Sequence, residues 1–119
     1  MAVSIKELIE KKESIEAKKK ELYDLETSIG TITVKQPTRS YIADVSDMDD
    51  SDALVVLDCV VEPDLKDKGL QEAYGCVSPL DIVGKLFKGG EVVAISKAIL
   101  KSAGYGEDIR SELHNEAKN

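Results

Sequence analysis

The segment DMDDSDALVVLD, residues 47–58, sets Asp47, Asp49 and Ser51 at the first, third and fifth places of a twelve-residue run, a spacing at which oxygen ligands wrap a calcium ion. The pattern fails where such a loop is most demanding. Its sixth residue is Asp52 where the sharp turn needs glycine, and its twelfth is Asp58 where a bidentate glutamate is required. The remaining reactive types are no better placed. Cys59 and Cys76 stand apart without a CxxC partner, which points to two small apolar side chains and away from zinc or disulfides. His114, the single histidine, falls in a polar tail with no frame to hold it beside a nucleophile. KGGE at 88–91 and GYG at 104–106 are glycine turns outside the GxxxxGK(S/T) and GxGxxG patterns, so no phosphate cradle is indicated. The lysines at 18–20 form the densest basic cluster, but Glu16, Glu21, Asp24 and Glu26 surround it, as on a solvated helix face. The expectation is a chain that is not an enzyme and has no cofactor or metal site, its carboxylates serving to cap and solvate helices.

The elements that would carry these residues follow from periodicity and punctuation. Residues 4–28 hold Lys, Glu, Leu, Ile and Ala without Gly or Pro, and Ser4 with Glu7 makes an S-x-x-E helix start. A long N-terminal helix is predicted. Leu8, Ile15, Leu22 and Ile29 recur every seven residues, while Ile5, Lys12, Lys19 and Glu26 make a poor second seam, so the helix carries half of a coiled-coil repeat. It reads as an arm packed along its own domain, or as one for docking a partner or a second copy. Gly30 ends it, and TITVKQP alternates as a short strand that must pair with a hairpin partner near 25–30 or with another subunit.

Beyond Pro37, Thr38 caps a helix with Tyr41, Ile42, Val45 and Met48 inward. ALVVLDCVV suits strand or helix; the acids at 49–52 and Pro63 favour helix. Asp64 or Asp67 starts a short helix closed by Gly75, and S-P-L-D at 78–81 starts another with Leu80, Val83 and Phe87 inward. A helix from Glu91 to Gly104 turns Val92, Ile95 and Ile99 inward, and a last one is expected over residues 107–115. The predicted fold is mainly α: a small helical domain with a long N-terminal helix and one short β-strand or hairpin. One domain spans 1–119, with the arm at 1–28, the strand at 29–36, a helical core at 38–106 and a C-terminal helix or tail at 107–119.

Composition narrows the function classes. The chain of 119 residues has one phenylalanine and no tryptophan, so its core must be aliphatic. No apolar run approaches the roughly 20 residues needed to span a bilayer, and MAVSIKELIEKK lacks the hydrophobic stretch of a signal peptide, which predicts a soluble, cytoplasmic protein without membrane contact. The net charge of −7 gathers in the middle: residues 41–81 carry eleven acids and two bases. That surplus repels a phosphate backbone, so nucleic acid is not an expected partner. One alternative remains, because residues 80–103 outline a helix-turn-helix and would suit a small acidic DNA-associated regulator. Its second helix, however, offers only Ser96, Lys97, Lys101 and Ser102 for base contact.

Taken in order, KKKELYDL, GTITVKQPTR, VVEPDLKDKGLQEAYG, SPLDIVGKLFKGGEV and AILKSAGYG resemble the XkdN-like tail assembly chaperones of phages and prophages of Gram-positive bacteria. The joint order carries the likeness over most of residues 5–106, and Gly69 and Gly84 within predicted helices depart from it. The resemblance implies a non-catalytic protein of the host bacterial cytoplasm, not expected in the mature virion. Such chaperones bind the tape measure protein, keep it soluble and hand it to the major tail protein as the tube polymerises. In related systems a frameshift-extended form makes the tail-protein contact. The expected partner-binding residues are Leu8, Ile15 and Leu22 on the arm with Val92, Ile95 and Ile99 on the later helix, and a homo-oligomer is a further expectation.

Overall fold

The computed structural model describes residues 2–114. At the N-terminus the Glu7 backbone N–H donates to the Ser4 Oγ at 3.1 Å, and the same hydroxyl donates to the Glu7 carboxylate at 3.2 Å, so the predicted start is realised. The single long helix is not. Helix α1 (Ile5–Glu10) and helix α2 (Lys12–Lys19) meet at Lys11, whose φ of −89° and ψ of 2° step out of the helical basin. The chain then turns extended as β1 (Leu22–Thr27) and folds back as β2 (Gly30–Lys35).

The reason lies in pairing. As an extended segment, LYDLET turns Leu25 to the same side as Ile32 of β2 and sets Tyr23 opposite Val34. The other face is polar: Thr33 donates to Asp24 at 2.8 Å and Thr31 donates to Glu26 at 2.7 Å. Continued as helix, the same residues would leave one edge of β2 without a partner. Gly30, at φ +120°, absorbs the reversal after the Ser28–Ile29 turn, in a region that side chains rarely enter.

Thr38 caps α3 (Arg39–Val45) as predicted, accepting the Tyr41 N–H at 3.1 Å, although Met48 lies exposed beyond it. The valine-rich run divides its behaviour. Ser51–Cys59 forms α4, and Val60–Glu62 then forms β3, antiparallel to β2 on the side away from β1. The fold is therefore mixed α/β, with a three-stranded antiparallel sheet in the order β1-β2-β3, and not mainly α. Branched side chains tolerate both conformations, and the open edge of β2 recruits the segment that reaches it. Asp50, at φ +57°, makes no side-chain cap bond, so the acids here act on α4 through charge near its N-terminus.

Asp67 caps α5 (Lys68–Ala73), accepting the Leu70 N–H at 2.9 Å. Gly75 closes it at φ +67°, with its N–H on Glu72 O and that of Cys76 on Gln71 O, both at 3.0 Å, a Schellman ending. The Asp81 carboxylate accepts the backbone N–H groups of Val77 and Ser78 at 2.9 and 3.0 Å, and α6 (Asp81–Leu86) follows. After Phe87 and Lys88, α7 (Gly89–Ser102) is the longest helix among the described residues and packs against α4 and β1. The core is aliphatic apart from Phe87: Ile32 and Val34 of β2 with Val56 of α4, Leu65, Ile82 of α6 and Ile99 of α7 at its most enclosed points. No helix forms over residues 107–114; Ile109 and Leu113 are almost fully exposed and find nothing to pack on, and residue 115 lies outside the described residues.

Candidate partner surface

Every described residue from Ala2 to Glu21 is exposed, and neither α1 nor α2 contributes a buried residue. A compact chain of this length would have a radius of gyration of about 13.5 Å. The observed value is 18.8 Å, with extents of 67 × 26 × 26 Å, as expected for a segment standing off a body. The arm is fastened at its root. The Gln36 side-chain amide donates to the carbonyls of Lys18 at 2.6 Å and Glu21 at 3.2 Å, one in the last turn of α2 and one just before β1. Beside this tie a groove of about 490 Å³ runs between Lys19, Gln36–Arg39 and Ala103–Tyr105.

Behind the root sits a polar cluster. The Tyr41 hydroxyl bonds Asp58 at 2.7 Å and the Leu54 carbonyl at 3.0 Å, while Lys66 donates to the other Asp58 oxygen at 2.7 Å. Burial works against the Asp58 charge, but the Lys66 and Tyr41 hydrogen bonds and the charges of Lys66 and Lys35 outweigh it and hold the carboxyl below the usual carboxylate range. Burial, reinforced by Asp58, raises the Tyr41 phenol far above its ordinary value, and burial pushes the neighbouring Cys59 thiol up to about 11. A phenol held neutral and a thiol held protonated are a structural joint and not a nucleophilic pair. At the other end of α7, Glu91 accepts the Ser28 N–H at 2.8 Å and its hydroxyl at 2.5 Å, which fixes the hairpin turn to the helix start.

The six expected partner-binding residues separate in space. Leu8 and Ile15 lie exposed on the arm, and Leu22 is exposed on the solvent side of β1, so the chain's change to extended form at Leu22 breaks the seven-residue stripe. Val92, Ile95 and Ile99 are buried and hold α7 against the core, with Val92 reaching the edge of a groove beside α4 and α6. The helix-turn-helix outline fares similarly: Ser96, one of its four expected base-contacting residues, is fully buried.

Sequence reasoning missed a second surface. Asp50, Ala53 and Gly84 are shared by two adjoining grooves of about 630 and 440 Å³ between the start of α4, α6 and the start of α7. Exposed Val77 and Val93 line them, and Gly84 has open space where a side chain would stand. The only signal in the sequence was glycine at a helical position.

Among the described residues no cluster of three or more His, Cys, Asp or Glu could hold a metal ion, and no helix is long and apolar enough to cross a membrane. Comparison with curated proteins gives no match, and comparison with solved structures gives none. Among protein families, the one described as "Phage XkdN-like tail assembly chaperone protein, TAC" matches residues 3–118. The match covers arm and body together, and the chain belongs to this non-catalytic family of phage tail assembly chaperones.

Proposed function

We propose that the chain binds the tape measure protein of its phage in the host cytoplasm, keeps it soluble until use, and aids assembly of the tail tube around it. A frameshift-extended form would supply the contact to the major tail protein. The observation that carries this reading is the arm: its apolar residues are exposed while the body packs an enclosed core. A long helical client that aggregates while waiting needs apolar cover, and exposed helix faces provide it by helix-to-helix contact repeated along the client. Leu8, Ile15 and Leu22 are the contact residues in this reading, and Val92, Ile95 and Ile99 act indirectly by holding the body together.

The test is co-expression of the tape measure protein with the chain carrying Leu8→Ser, Ile15→Ser and Leu22→Ser. The expected outcome is that the tape measure moves from the soluble fraction to the pellet while the variant itself stays folded by circular dichroism. Tape measure that remains soluble and co-purifies with the variant would rule the arm out as the contact.

A further inference from the structure

We infer that residues 107–114 form a strap that closes as a helix along α2 of the same chain and covers the root half of the arm until a client displaces it. The role as cover rests on the proposed arm contact; the closure itself does not. In the structure the strap stands open, with Ile109 90% and Leu113 95% exposed. Its position is the first argument. Tyr105 and Lys19 line the same groove, so the strap leaves the body where the arm joins it. The Glu107 N–H donates to the Gly104 carbonyl at 3.3 Å, which keeps the start of the strap at this root. Gly104 and Gly106, at φ +91° and +85°, flank Tyr105 as a pivot. Because α2 runs toward the root and the strap away from it, a closed strap lies antiparallel to α2.

The second argument is apolar register. Ile15 stands four residues before Lys19 on the same face of α2, and Ile109 stands four residues after Tyr105. Each step is about 6 Å of helix, so Ile109 comes level with Ile15, which is 40% exposed. Leu113, one turn further on, reaches the Lys11 junction between α1 and α2, near the exposed Leu8. A segment this short does not hold a helix by itself, which accounts for the open form; a face to lie on supplies what its own backbone lacks.

The third argument is charge. Residues 107–114 hold Glu107, Asp108 and Glu112 against Arg110, whereas residues 2–20 carry six lysines and four glutamates. Lys19 and Arg39 line the root groove, and no acid does. Closure brings Glu107 and Asp108 to the lysine-rich end of α2. Glu112, in an exposed pair with Arg110 at 2.9 Å while the strap is open, comes level with Lys12. The grooves beside α4 are worse hosts, since Asp50, Asp52 and Asp81 line them and repel an acidic segment.

Cross-linking of the chain alone decides the closure, independently of tape measure binding. In a Cys76→Ser background, which leaves only the buried Cys59, Ile15→Cys with Ile109→Cys should form a disulfide at monomer mass under oxidised glutathione. Its rate should exceed by about tenfold that of Glu13→Cys with Ile109→Cys, because residue 13 points to the far side of α2. Equal rates overturn the inference, and so does a cross-link found only at dimer mass. Hydrogen exchange gives a second reading: amides of residues 12–19 should exchange severalfold more slowly in the wild type than in Ile109→Ser with Leu113→Ser, two exposed positions outside the core. Glu112→Lys should speed the same amides, and Lys12→Glu added to it should slow them again; identical exchange in all four chains overturns the closure. The cover is tested on the Ile15→Cys, Ile109→Cys chain, whose reduced form should retain tape measure protein and whose oxidised form should not. Equal retention by both removes the strap's role as cover, whereas retention by neither overturns the arm contact, and the cover with it, while the cross-linking rates still decide closure.

Discussion

Ile99 and Ile15 are the same side chain on helices of the same protein, yet the first is fully enclosed where α7 joins the core and the second stands open on α2. In the body, every strongly apolar stripe finds a partner: α7 lies on α4 and β1, and β2 is flanked by strands on both sides. In the arm, helical backbone hydrogen bonds, the Ser4 cap and exposed local side-chain bonds hold the residues, and Gln36 ties only the root to the body. The difference separates two uses of hydrophobic surface. One is spent within the fold and sets its stability; the other is held back from it, contributes almost nothing to folding, and remains free for another chain.

Ile99→Ala against Ile15→Ala is the most direct way to break this contrast. The first should cost about 3 kcal/mol in denaturant unfolding, and the second should move the midpoint by no more than about 0.5 kcal/mol. Equal losses would mean that the arm is part of the cooperative core.

The joint behind the arm root comes next. Tyr41→Phe and Asp58→Asn should each lower stability by about 1 kcal/mol, by the usual worth of a partly buried hydrogen bond and a screened ion pair. Asp58 also makes a prediction in pH. Because its carboxyl titrates lower in the folded chain than in the unfolded one, its stabilisation is complete above the unfolded value and is lost as pH falls through the folded one. The Asp58→Asn variant should therefore lose less stability than the wild type when unfolding is followed from neutral into acid.

Ser96 sharpens the picture of the body from the other direction. Its hydroxyl is buried with no hydrogen-bond partner, so Ser96→Ala should raise stability by a few tenths to about 1 kcal/mol in thermal melts. The smallest effect belongs to Gln36→Ala, about 0.3 kcal/mol or less in global stability, because its bonds lie at the surface. Its signature should be faster amide hydrogen exchange over residues 18–22, without change in α4 or α7.

What was legible in the sequence was local. Ser4, Thr38 and Asp67 each accept a backbone N–H three residues on, and Gly75 takes the left-handed turn after its helix; a few neighbouring residues suffice to state such rules. What stayed hidden depends on remote neighbours. LYDLET sits among helix formers, and only the ladder to GTITVK makes its two-residue alternation matter. The passage from helix to strand between Cys59 and Val60 is set by the free edge of β2, not by any residue at the junction. For the partner surface, the half repeat of Leu8 and Ile15 left open whether the helix packs along its own domain or on another chain. Val92, Ile95 and Ile99 form an equally good stripe, and a stripe does not say whether its cover comes from the same chain or another.

The clasp between Ser28 and Glu91 joins positions 63 apart in the chain. A ribosome making this protein releases the hairpin long before it releases the helix that secures it, so the sheet waits, half clad, for most of synthesis. The lysine-rich segment at the front needs no such delay. Neither α1 nor α2 buries a residue against anything that follows it.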